Sequence, residues 1–217
     1  MSEAKSPVLE DLVEGYRRFR SSGWSQNRDR WAQLKDGQEP QVMVISCSDS
    51  RVDPSQIFDV DPGEIFVVRN VAALVPPYET TPGHHGVSAA LEFAVQVLKV
   101  KEVLVMGHGM CGGCKAALSQ SLRGNAPGAG GFVDDWISLL DEAREKVVAD
   151  HGDSGRAAEI EMEHAGVRVS LENLMTFPWV KEKVASGELT LRGSFFAISD
   201  GILHLMNPET KEFEPAA

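Results

Sequence analysis

Two short stretches of this 217-residue chain carry the residue types that do chemistry. The first is Cys47-Ser48-Asp49-Ser50-Arg51, and the second is His108-Gly109-Met110-Cys111-Gly112-Gly113-Cys114. Two thiolates and one imidazole have the softness that suits zinc, and three protein ligands leave a fourth tetrahedral position open for reaction. His108 and Cys111 are close enough in sequence to bind one ion from a single turn. The Gly112-Gly113 pair lets backbone approach that ion without Cβ interference. Asp49 and Arg51 can form a two-pronged hydrogen-bonded pair beside it, and a cation there favours the ionised carboxylate. Taken singly these residues say little: a lone buried cysteine is usually an inert small hydrophobe. Their meaning depends on the elements that position them.

Those elements read as buried strands. Val42-Met43-Val44-Ile45 runs directly into Cys47, and Val103-Leu104-Val105-Met106 runs through Gly107 into His108. Both are apolar on two faces, which favours a parallel sheet. Glu64-Ile65-Phe66-Val67-Val68-Arg69 is a third strand after the turn Pro62-Gly63. A helix over 86–98 separates it from the His108 strand, with Ala89, Ala90, Phe93, Ala94 and Val97 on one face. This order predicts an α/β fold, a mostly parallel central sheet flanked by helices. Open sheets of that kind bind ligands at the carboxyl ends of their strands, where both motifs lie.

Further along, 123–131 is rich in Gly, Ala and Pro and reads as a mobile surface loop. Helical periodicity returns over 132–148 and 157–175, and Pro178 opens a shorter helix. Strands over 189–198 and 202–206 are joined by Asp200-Gly201, a C-terminal antiparallel hairpin. Residues 1–36 form an amphipathic helical arm, with Val8, Leu9, Leu12, Val13, Tyr16 and Phe19 at three- and four-residue steps. Its apolar faces suit a partner subunit. With no repeat or linker, 1–217 reads as one domain: the arm, and a core over 38–206. Glu159, Glu161 and Glu163 read as a solvated helix face, and Asp134-Asp135 as a helix N-terminus.

Composition narrows the function. Lys and Arg number 21 against 32 Asp and Glu, a net charge of −11, which argues against a general grip on nucleic acid or an anionic membrane. Three cysteines, an odd count, are too few for a disulfide framework and point to a reducing compartment. Residues 1–7 show no apolar leader, and no apolar run is long enough to span a bilayer. The expectation is a soluble cytoplasmic protein.

Beyond their chemistry, the two motifs resemble those of the β-class carbonic anhydrases. Pro62-Gly63-Glu64, the run from Phe66 to Ala72, Leu74-Val75-Pro76-Pro77 and the late Ser170-Leu171-Glu172-Asn173-Leu174 are similar to the same family. The resemblance implies Cys47, His108 and Cys111 as ligands of one zinc per chain, with Asp49 and Arg51 as a catalytic dyad. It implies reversible hydration of carbon dioxide to bicarbonate by attack of zinc-bound hydroxide, and a homodimer or higher oligomer. It further implies that Phe66, Val71 and Phe93 line the substrate pocket, that Gln38 donates to a substrate oxygen, and that Gly112 belongs to the substrate-binding set. Trp precedes the first cysteine by three residues in a subgroup with an inhibitory bicarbonate site. Val44 stands there in this chain, so the likeness is to the open, plant-like subgroup. Three alternatives stay open at this stage. They are carbon disulfide or carbonyl sulfide hydrolysis on the same fold, a structural zinc module closed by Cys114, and a thiol oxidoreductase using Cys111 and Cys114. Otherwise Cys114 reads as a small side chain facing the core.

Overall fold

The computed structural model describes residues 8–216; the opening segment 1–7, read above as free of an apolar leader, lies outside the described residues. The chain divides into two compact units, 1–38 and 39–217. In the first, α1 (Leu9–Ser21), α2 (Gly23–Gln26) and α3 (Arg28–Leu34) follow one another with no residue fully buried. Phe19 meets Trp31 edge to face at 6.1 Å, and the Arg20 guanidinium lies 3.7 Å above the Trp24 ring. Val8, Leu9, Leu12, Val13, Tyr16 and Phe19 all remain exposed.

The second unit is built on a six-stranded sheet. Its strands are β1 (Val42–Cys47), β2 (Ile65–Asn70), β3 (Glu102–His108), β4 (Thr190–Ala197), β5 (Ile202–Met206) and β6 (Phe213–Pro215), in the order β2-β1-β3-β4-β5-β6. The first four are mutually parallel, and β5 and β6 add on antiparallel. The expected α/β architecture and C-terminal hairpin are both present, and Gly201 takes φ +76° in the hairpin turn. The sheet extends past the expected end of the core at Met206, because the turn over 207–212 brings β6 back onto β5.

Helices cover both faces. They are α4 (Pro54–Ile57), α5 (Gly86–Glu92), α6 (Gly112–Ser119), α7 (Gly131–Ile137), α8 (Asp141–His151), α9 (Arg156–Leu174) and α10 (Pro178–Ser186). The continuation of α5 through Phe93–Leu98 is wound as a π-helix and stops at Lys99, φ +58°. The single helix expected over 132–148 is broken by a 3₁₀ turn at Ser138–Leu140. The preceding loop is held rather than free: Asp134 accepts from the Gly124 N–H at 2.8 Å, and Arg123 pairs with Asp141.

Side chains alternate across the strands, so β1 and β3 serve two cores. Val44 and Met106 join α6, α7 and α8 in one, which also holds Cys47, Cys111 and Cys114. Met43, Ile45, Val103 and Val105 pack with Leu91, Val95 and Val180 in the other. The long α9 contributes to both and lies close on the sheet. A Cβ on Gly107 would fall 2.6 Å from Val167 Cγ2, so only glycine fits one residue before His108.

One packing contact makes stability depend on pH. His164 of α9 stacks on Phe213 at 4.2 Å and meets Phe195 edge-on at 4.6 Å. Burial pushes its imidazole down to about 4, against a weaker opposing pull from Glu161. The unfolded chain therefore takes up a proton near the ordinary pKa of about 6.5 while the folded chain does not, and stability is lost as pH falls from there toward 4. In denaturant titrations His164→Phe should lose about 2–3 kcal/mol less than the parent between pH 7 and 4.5. Equal losses in the two proteins would remove His164 from the account.

Candidate active site

Parallel pairing of β1 with β3 aligns Ser46 with Met106, so the two strands deliver Cys47 and His108 to the same sheet end. Cys111 follows at the N-cap of α6. The metal-binding atoms of Cys47, His108 and Cys111 all lie within 4.8 Å of one another, and all three residues are buried. No other group of this kind occurs among the described residues. The three cysteines are free thiols.

The donor chemistry fits zinc. His108 Nδ1 lies 2.9 Å from the carbonyl oxygen of Gly109, which fixes the proton on that nitrogen. Its Nε2 is buried and has no hydrogen-bond partner, which leaves its lone pair for a ligand. The Cys47 thiol is pushed up to about 12 by its hydrogen bond with Cys111 and by burial. Cys111 is pushed up to about 12 by its hydrogen bond with Cys114 and by burial. A divalent cation among these sulfurs reverses that preference, because coordination removes thiol protons outright. Cys114 is buried in the core as expected and stands outside the convergent three.

Asp49 and Arg51 form the expected pair. Oδ1 of Asp49 accepts from the Arg51 backbone N–H at 3.0 Å and from Nε at 2.9 Å, while Oδ2 accepts from Nη2 at 2.7 Å. The guanidinium holds the Asp49 carboxyl well below the usual carboxylate range. Oδ2 thus keeps a free lone pair. Arg51 Nη2 also donates to the carbonyl of Met110 at 3.1 Å, so the pair touches the turn between His108 and Cys111.

Several supports were not singled out from sequence. Arg69 of β2 donates to the Cys47 carbonyl at 2.9 Å, to the Asp49 carbonyl at 2.6 Å and to the Asp53 carboxylate at 3.0 Å. Glu163 corrects the reading of a solvated helix face: it is buried and accepts from the Cys111 backbone N–H at 3.2 Å. Burial of an acid is uncommon without a cationic partner, which Arg156 supplies from seven residues earlier on the same helix.

The expected pocket residues are placed less uniformly. Val71 packs against the first turn of α6, where a Cβ on Gly113 would stand 2.8 Å from Val71 Cγ1. Trp136 Nε1 donates to the Val71 carbonyl at 2.8 Å. Close approach therefore explains Gly113, whereas a Cβ on Gly112 would meet nothing within 4 Å. Phe66 and Phe93 meet each other at 5.9 Å, but Phe66 packs on the core that lacks the sulfur and imidazole donors. Gln38 ends the first unit.

Comparison with known proteins agrees with this architecture. A family model described as carbonic anhydrase matches residues 42–203. Beta carbonic anhydrase 3 of Arabidopsis thaliana is 34% identical over 208 residues, 95% of this chain and 80% of that protein. The β-carbonic anhydrase CcaA superposes with TM-score 0.88 at 31% identity, covering 96% of this chain and 92% of its own. A structure from a study of two tetrameric β-carbonic anhydrases of Sordaria macrospora gives TM-score 0.78 at 27% identity, covering 92% and 96%. With its fold and sequence both matching along most of its length, this chain belongs to the β-carbonic anhydrase family and is a carbonic anhydrase.

Proposed function

We propose that the protein interconverts carbon dioxide and bicarbonate using one zinc ion per chain, held by Cys47, His108 and Cys111. The observation that carries this reading is the buried sulfur–sulfur–nitrogen focus with an unpartnered His108 Nε2. Bound there, zinc would act as a Lewis acid that lowers the pKa of water toward 7. Asp49, kept ionised by Arg51, offers the free lone pair of Oδ2 to a hydrogen of the attacking water and so orients it toward carbon dioxide. Arg51 would keep the same carboxylate from turning onto an ion held by Cys47, His108 and Cys111. Val71 forms an apolar wall for carbon dioxide beside the first turn of α6; Phe66 and Phe93, which meet each other and of which Phe66 packs on the other core, are assigned to the pocket by the family's pattern alone. The family's pattern puts Gly112 at the substrate position, where a Cβ would meet nothing within 4 Å. The position of Cys114 outside the convergent group supports an open site over a closed four-ligand one.

The chain works as one catalytic domain in an oligomer, with the amphipathic arm over 8–34 packing on a second copy. The exposed apolar residues of α1 support this, as does the tetrameric state of the Sordaria relatives. No helix among the described residues is long and apolar enough to cross a membrane. Three free thiols suit the reducing cytoplasm.

Elemental analysis and stopped-flow hydration with a pH indicator test the metal reading together. Purified protein should hold about one zinc per chain. Cys47→Ala, His108→Ala and Cys111→Ala should each lose the metal and the activity, whereas Cys114→Ser should keep both. Full zinc content after Cys47→Ala contradicts the ligand set, and loss of zinc in Cys114→Ser restores the closed site. Hydrogen sulfide release from carbonyl sulfide without carbon dioxide hydration would instead identify the sulfur hydrolase. Light scattering of the intact protein should exclude a monomer.

The dyad has its own signature. Arg51→Ala frees Asp49 as a carboxylate within reach of a divalent cation, and carboxylate oxygen is an acceptable zinc ligand. This variant should retain zinc but lose about 100-fold in hydration rate at neutral pH, recovering part of it in alkali as hydroxide competes better. Asp49→Ala should lose rate without that alkaline recovery. A nearly parental rate for Arg51→Ala at neutral pH would make the pair structural.

A further inference from the structure

The turn from His108 to Cys111 sets the spacing between two of the three ligands, and it is not a relaxed turn. Met110 adopts φ +57°, the left-handed region that a side chain with Cβ enters at a cost. Cys111 stands at the N-cap of α6, where its side chain makes no capping hydrogen bond. Its thiol faces the other donors, so its backbone N–H, in a residue 2% exposed, needs an acceptor from elsewhere.

Glu163 supplies that acceptor from α9. Its side chain is 3% exposed, and Oε1 accepts from the Cys111 N–H at 3.2 Å. Arg156, two turns earlier on the same helix, donates Nη1 to Oε1 and Nη2 to Oε2, each at 3.1 Å. The guanidinium also lies against the turn itself, where a Cβ on Gly109 would be 3.5 Å from Arg156 Nη2. On the other side of the turn, Arg51 Nη2 donates to the Met110 carbonyl at 3.1 Å. Two carboxylate–guanidinium pairs therefore hold the strained ligand turn, one through a carbonyl and one through an N–H.

We infer that Glu163 is a positioning residue for the metal centre, fixing Cys111 through its backbone N–H while Arg156 holds the carboxylate in place. This rests on the zinc reading above and extends it: the Arg51 side serves the reacting water, and the Glu163 side serves retention of the ion. An acceptor that is ionised and bound bidentately orients a backbone donor more firmly than a neutral one. Its loss lets the His108–Cys111 spacing widen. Partners outside the ligand shell commonly change metal affinity 10- to 100-fold.

The test is zinc transfer to a chromophoric chelator from the zinc-loaded oligomer, with thermal unfolding of each protein measured alongside. Glu163→Ala should release zinc about 10- to 100-fold faster than the parent. Glu163→Gln keeps an amide oxygen for the Cys111 N–H and should recover most of that loss. Arg156→Ala, which leaves Glu163 and Cys111 unchanged but removes the group that holds the carboxylate, should release zinc several-fold faster and serves if Glu163→Ala fails to fold. Parental release rates in Arg156→Ala, or in Glu163→Ala with only its melting temperature lowered, would overturn the inference and make the pair purely structural. A parent protein that takes up no zinc would overturn the metal reading itself, a distinct result.

Discussion

Two thiols and an imidazole crowded into a buried space are costly to keep together, because their polar atoms have given up water and offer each other poor partners. The rest of the second unit is arranged around that demand. Adjacent parallel strands bring Cys47 and His108 to one sheet end, but strand ends are where backbone pairing stops and side chains begin to fray. Cross-links from outside the strands keep them in place. Arg69 ties the Cys47 and Asp49 carbonyls to β2, and Asp53 both receives Arg69 and caps α4 through the Ser55 N–H.

The segment after β2 answers the same demand from the other side. Ala72 and Ala73 both have positive φ, at 64° and 56°, a strained pair that must be overdetermined by its surroundings. Asn70 closes the turn by donating to the Leu74 carbonyl and accepting from its N–H. Ser170 and Asn173 of α9 then hold the Ala73 carbonyl, the Val75 N–H and the Val75 carbonyl. This network explains physically why the stretch from Arg69 to Val75 and the late Ser170–Asn173 stretch go together. One is an irregular backbone beside the site, and the other supplies its missing hydrogen bonds. Val71 is presented to α6 as a result.

The convergence of Cys47, His108 and Cys111 and the Asp49–Arg51 pairing could be read from the chain because each combined a chemically distinctive residue with a strand-end position. Cys47 and His108 follow apolar runs, and Arg51 lies within two residues of the acid it binds. What escaped reading depends on partners distant in sequence or on small departures from a regular pattern. Glu163 shares its stretch of α9 with Glu159 and Glu161, and nothing local distinguishes the buried acid from those bound nearer the surface by Lys115 and Arg168. Its burial follows from how closely α9 approaches β3 at Gly107, a tertiary fact. The three-residue β6 is too short to show alternation, and its place depends on β5 offering a free edge. The π-wound end of α5 shares the apolar spacing of an ordinary helix, so the period gave no sign of it.

In the proposed centre two sulfurs and one nitrogen would hold the metal while a fourth position stays open to a light ligand. X-ray absorption at the zinc edge, on the protein as purified near neutral pH, reads that shell directly. The proposed centre requires two sulfur scatterers at about 2.3 Å and two nitrogen or oxygen scatterers at about 2.0–2.1 Å. A shell of three sulfurs would place Cys114 on the metal and close the site, and a shell with fewer than two would remove a cysteine from the ligand set; either result contradicts it.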